Sequence, residues 1–165
     1  MRVAALGALC GLLSGATAVV ASVSRQSAGH PAVTLKLRGL PPLVVRSIRY
    51  ETPPGQSPFN SPYRCRVTLT TPGRGAVTVE TIGIGNTETV SCDGLAAVGA
   101  VPGPMPRIGF VYDTSSPNAS GRTPVVVALD RRSGRWAVDD ALSLGLVDRM
   151  GTMTIPAMRR ALATR

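Results

Sequence analysis

Residues Tyr63 to Ile82 read YRCRVTLTTPGRGAVTVETI, and the fold turns on this stretch. Arg64, Arg66, Thr68 and Thr70 alternate with Cys65, Val67 and Leu69, a period of two that belongs to a strand with one buried face. Beyond the TPGRG turn at Thr71 to Gly75 the alternation resumes, with Val77 and Val79 opposite Thr78 and Glu80. Two antiparallel strands follow, with the arginines on the solvent side.

Working outward, Leu43 to Tyr50 (LVVRSIRY) has the same alternating character, and Val33 to Leu37 predicts a short strand before the break at Gly39, Pro41 and Pro42. Thr52 to Pro62 holds four prolines and Gly55, which forbid both helix and ladder. Downstream, Asn86 to Cys92 is expected as a strand after a bend at Gly83 and Gly85. Asp93 is expected to cap a short helix over Gly94 to Val98, stopped by Pro102, Pro104 and Pro106. Arg107 to Asp113 and Thr123 to Asp130 read as strands, with a polar loop from Thr114 to Arg122 between them. Arg135 to Val138 pairs back across the turn Arg131 to Gly134. Asp139 or Asp140 then caps a helix over Ala141 to Val147, and a second helix covers Ile155 to Ala163 with Pro156 in its first turn.

About seven short strands with regular turn signals predict a mainly β fold. The options are a small sandwich, an open barrel or a curved antiparallel sheet, with one or two short C-terminal helices; α+β is the alternative. The hairpin VVVALDRRSGRWAVDD, Val125 to Asp140, resembles the last hairpin of α+β cone folds related to nuclear transport factor. Members of that family open with long helices, which the chain beyond its leader lacks, so nothing further is carried over.

At the amino terminus Arg2 precedes VAALGALCGLLSGATAVVASV, Val3 to Val23, an uncharged run that ends before Arg25. Small residues at Ala16 and Ala18, or at Val19 and Ala21, suit signal peptidase, so residues 1–21 read as an export signal. The alternative is an uncleaved anchor, residues 3–23, which would keep the protein in contact with a membrane. The organisation expected is a signal at 1–21, a flexible or partly extended segment at 22–42 and a single β-rich domain at 43–165. Cleavage removes Cys10 and leaves Cys65 and Cys92, an even count that reads as a disulfide in an oxidising compartment. The expected location is secreted or periplasmic.

Formal net charge is +9, from 18 basic and 9 acidic residues, and Lys36 is the one lysine. Such a balance favours anionic partners through salt-sensitive association. Export makes nucleic acid the least accessible of these, so none is expected. With 44% hydrophobic but only 4% aromatic residues, the core must be built from Val, Ile, Leu and Ala.

Catalytic constellations are missing. His30, the one histidine, sits beside Pro31 in the N-terminal segment, which argues against a serine–histidine–acid relay. Two cysteines without clustered histidines do not make a zinc site, and no metal or cofactor is expected. Asp139 and Asp140 are adjacent, so their side chains diverge and suit a helix cap better than a facing acid pair. Gly83, Gly85 and Asn86 lack the strand–loop–helix setting of a phosphate loop and read as a turn. Asn118 to Ser120 is a glycosylation sequon in a loop, and Trp136 reads as a core anchor under the last hairpin.

The candidate binding residues are Arg46, Arg49, Arg64 and Arg66, a basic stripe across two strands. The sequence thus points to an exported, disulfide-stabilised, non-enzymatic domain that binds a protein or an anionic envelope or surface component. The alternative is a small extracytoplasmic enzyme or enzyme inhibitor with an Arg/Asp/Tyr site at Arg107, Tyr112 and Asp113, and whether the protein is an enzyme stays open. Intact mass of the exported product should show a chain that begins at Val19 or Ser22. A mass that retains residues 1–20 selects the anchor.

Overall fold

The computed structural model describes residues 26–27, 30–53, 55–56 and 62–163. The expected signal, the anchor alternative and Cys10 lie outside the described residues, as does part of the proline-rich break. Two antiparallel meanders make up the β structure. The first sheet contains β1 (Gln26–Ser27), β2 (Val33–Leu35), β3 (Leu43–Glu51), β4 (Tyr63–Thr70) and β5 (Ala76–Ile82), with β1 and β2 sharing one edge of β3. The second contains β6 (Ser91–Val101), β7 (Arg107–Ser116), β8 (Ala119–Asp130) and β9 (Arg135–Val138). Two short helices follow, α1 (Asp140–Val147) and α2 (Ile155–Ala163). Of the three β architectures expected, this is the sandwich, and no ladder closes it into a barrel.

The period of two sets which residues face inward. Val45, Val67, Leu69 and Val79 of the first sheet bury themselves against Leu95, Ile108, Phe110, Tyr112, Val125 and Val127 of the second. The other face of the second sheet is also covered: Val101, Val111 and Val126 pack on Leu142, Leu146, Ile155, Met158 and Leu162. The result is three layers, sheet on sheet on helices. β7 and β8 lie in the middle layer, which is why Val125 to Ala128 is a continuous apolar run instead of an alternating one.

Three local expectations are corrected. Residues Gly94 to Val98 belong to strand β6, not to a helix. Asp93 caps nothing here, because it lies within β6 itself, and the glycines along these strands serve packing. A Cβ added at Gly99 would come within 2.8 Å of Ile155 Cγ2, and one at Gly109 within 2.9 Å of Met158 Cε, so the strands are kept bare where α2 lies on them. Asn86 to Val90 form no strand; a single 3-10 turn at Gly85–Thr87 precedes β6, with Thr87 Oγ1 accepting from Gly83 N–H at 3.1 Å. The polar stretch Thr114 to Arg122 is a hairpin, because β7 and β8 run on to a tight turn at Pro117 and Asn118. Its polar side chains pair across the ladder, Thr114 with Thr123 at 2.8 Å and Arg122 with Asp113 at 3.0 Å.

Asp139 caps α1 as expected, accepting from Leu142 N–H at 3.0 Å. The same corner laces the helix to β8: Asp139 N–H donates to the Val126 carbonyl, and Val126 N–H donates to Ser143 Oγ at 3.0 Å.

The disulfide joins Cys65 of β4 to Cys92 of β6, with Cα atoms 5.8 Å apart, so it ties one sheet to the other. Both cysteines are fully buried. Loss of the bond by reduction or by Cys92→Ser should lower unfolding free energy by about 2 to 5 kcal/mol, measured by urea denaturation. Cys65→Ser/Cys92→Ser should match either single variant. Native-state alkylation that labels both cysteines would remove the bond from the account.

Candidate functional site

The sheet pleat divides the four arginines singled out from the sequence. Arg46, Arg64 and Arg66 point to the outer face of the first sheet, where Arg46 stands opposite Thr68 and Arg66 opposite both Ile48 and Glu80. Arg49 pairs with Cys65 and therefore belongs to the other face. There its Nε donates to the Cys92 carbonyl at 2.9 Å, and its guanidinium lies 3.5 Å from the centre of the Tyr63 ring. Arg49 thus supports the disulfide corner, while the other three can meet a partner.

The outer face is not purely basic. Tyr50 donates its hydroxyl to Glu80 Oε2 at 2.5 Å, and the Arg66 guanidinium sits 5.0 Å from the Tyr50 ring centre. Arg64 is turned toward the rim, where Nη2 donates to the Gln56 carbonyl at 2.6 Å. Glu80 thus balances part of the charge that the stripe would otherwise present.

Arg107, Tyr112 and Asp113 are not brought together. Tyr112 is fully buried between the sheets, with its hydroxyl 2.9 Å from Thr81 Oγ1, and burial pushes its phenol well above the usual tyrosine range. Asp113 is exposed and bonded to Arg122, whereas Arg107 starts β7 at the opposite end of the strand.

A stronger charge feature comes from the turns. In a meander, alternate turns fall at the same end, and here 36–42, 71–75, 102–106 and 131–134 gather at one end of the sandwich. These turns and the strand residues beside them carry Lys36, Arg38, Arg74, Arg107, Arg131, Arg132 and Arg135 against one acid, Asp130. The loops of the other end, 52–62, 83–90 and 117–118, with the strand residues beside them, carry Glu51 and Glu88 and no cation. Asp130 is already engaged by its own turn, accepting from Arg132 N–H at 2.9 Å and Ser133 Oγ at 2.7 Å. Those hydrogen bonds, the Ser133 hydroxyl first, hold its carboxyl below the usual range. Among the described residues, none of these seven cations has a carboxylate within ion-pairing distance.

Between the 36–39 and 102–107 turns this end opens into a groove of about 690 Å³, lined by Lys36, Arg38, Arg107 and Arg131 among others. Its walls hold no acid. No group of His, Cys, Asp and Glu able to hold a metal occurs among the described residues. The site can therefore attract and orient anions. No family model, curated protein or solved structure matches this chain.

Burial, then the Glu80 hydrogen bond and charge, push the Tyr50 phenol up to about 12. The fold holds that proton more tightly than the unfolded chain does, so the stability it contributes is whole below about pH 10 and is lost as pH rises through 12. Ultraviolet titration of Glu80→Gln should move this ionisation part of the way back toward 10. An unmoved midpoint would leave burial as its whole cause.

Proposed function

We propose that the protein is an exported, disulfide-stabilised binding domain that holds an anionic component of the cell envelope or surface at the basic end of its sandwich. The observation that carries this reading is the gathering of seven cations and one self-engaged carboxylate on four neighbouring turns. Like charges crowded together disfavour folding, and an anionic partner relieves that repulsion. The buried disulfide is compatible with an oxidising, extracytoplasmic location. No helix among the described residues is long and apolar enough to cross a membrane. Arg46, Arg64 and Arg66 form a second, weaker positive face that adds to the attraction without focusing it.

Retention of the exported chain on a column of anionic polysaccharide should fall steeply with added salt, since exposed charges are screened over about 10 Å at 0.1 M. Replacing Arg38 and Arg131 together with Ser should elute the protein at markedly lower salt than replacing Arg64 and Arg66 together with Ser. The reverse order would move the binding face to the outer side of the first sheet. Retention that ignores salt would end the anionic reading.

A further inference from the structure

We propose that the groove at the basic end is a discrete receptor for a phosphate monoester group, with Arg107 as its anchor; this rests on the basic-end reading and gives it a ligand chemistry. Arg107 lines the groove, yet its Nε is shut off from solvent and has no hydrogen-bond partner among the described residues. A buried N–H left without an acceptor is costly, and Nε stays out of reach while the head is seated; what Arg107 offers an anion is the part of its half-buried side chain that lines the groove.

The guanidinium is seated by the backbone. A Cβ at Gly103 would fall 2.4 Å from Arg107 Nη1 and 2.8 Å from its Cζ, so the Arg107 head occupies the space that any side chain at 103 would take. Pro102, Pro104 and Pro106 stiffen the turn around it and remove three backbone donors from it. Arg131 comes from the other hairpin of the same sheet and reaches the first sheet, its Nη2 3.7 Å from where a Cβ on Gly39 would stand. Arg38 and Lys36 complete the lining from the β2–β3 turn.

Three planar forks and one ammonium around a space without carboxylates suit a group with several oxygens and nearly two charges. A carboxylate carries one charge and two oxygens and leaves most of these donors idle. A phosphate monoester carries about −1.5 to −2 at pH 7 and three acceptor oxygens, and arginine forks match its geometry.

The test uses the full exported chain with its disulfide intact and follows the arginine Nε–H resonances in ¹⁵N spectra. Inorganic phosphate and glycerol 3-phosphate are the probes, with sodium acetate at matched ionic strength as the control. Saturable movement of the Arg107 resonance with both phosphates and not with acetate is expected. Arg107→Lys keeps the net charge but lacks the fork, and Gly103→Ala keeps every charge but displaces the Arg107 head. Each should weaken phosphate binding about tenfold or more. Acetate acting as strongly as phosphate would overturn the proposal, as would wild-type affinity in a folded Arg107→Lys and a folded Gly103→Ala. The comparison of phosphate with acetate on the wild-type chain decides the matter even if neither variant folds. Phosphate-competed sedimentation with phosphatidic acid vesicles would assign the ester to a lipid; saturation by the soluble esters without vesicle binding would assign it to a free ligand. Saturable phosphate binding by a chain that the anionic column does not retain would remove the broader function and leave this receptor standing.

Discussion

Two sheets faced mostly with valine and leucine have little to fix how they lie on one another, and the Cys65–Cys92 bond supplies that constraint. It joins the middle of the first meander to the opening strand of the second, and polar groups gather round it. Thr81 Oγ1 lies 2.9 Å from both the Cys65 carbonyl and the Tyr112 hydroxyl, and Arg49 donates to the Cys92 carbonyl. A buried network of this kind has one satisfactory arrangement, which aliphatic packing alone does not impose. The alignment of the two meanders, and so the gathering of their alternate turns, depends on this corner.

Gathering those turns has an electrostatic cost. Seven cations without carboxylate partners repel one another, and the repulsion is softened by solvent because most of them are exposed. Arg107 is the exception, since its Nε is removed from water without a partner in return. The protein carries its least comfortable charge beneath a proline-rich turn that holds it in place. With Ser91 Oγ, that Nε is one of two buried side-chain polar atoms left without a partner among the described residues.

Where a sheet face is half buried, as at β3, β4 and β5, the alternation of side chains made the strands legible, and the terminal hairpin and α1 cap were legible for similarly local reasons. β6 was not. Its Gly and Ala content answers to a helix that packs on it from more than fifty residues away, and no local pattern carries that information. The hairpin around Asn118 was hidden because its ladder is backbone, while its side chains look like those of a loop. The candidate site failed to show for a topological reason. Lys36, Arg38, Arg74, Arg107, Arg131, Arg132 and Arg135 are scattered across a hundred residues and meet only when the turns of a meander are sorted into odd and even. Sorting charges by turn parity, once the strands were assigned, would have revealed it. The stripe of Arg46, Arg49, Arg64 and Arg66 relied on neighbouring strands but overlooked the pleat, which sends Arg49 through to the other face.

β1 has a bearing on how the molecule stands. Its two residues pair with Tyr50 and Arg49, near the end of β3 that lies away from the cationic turns. The described chain therefore enters the sandwich at its far pole, roughly the length of a nine-residue strand, about 30 Å, from the groove. The first described strand and the groove thus stand at opposite poles of the sandwich, and a group joined ahead of Gln26 starts about 30 Å from the cationic turns.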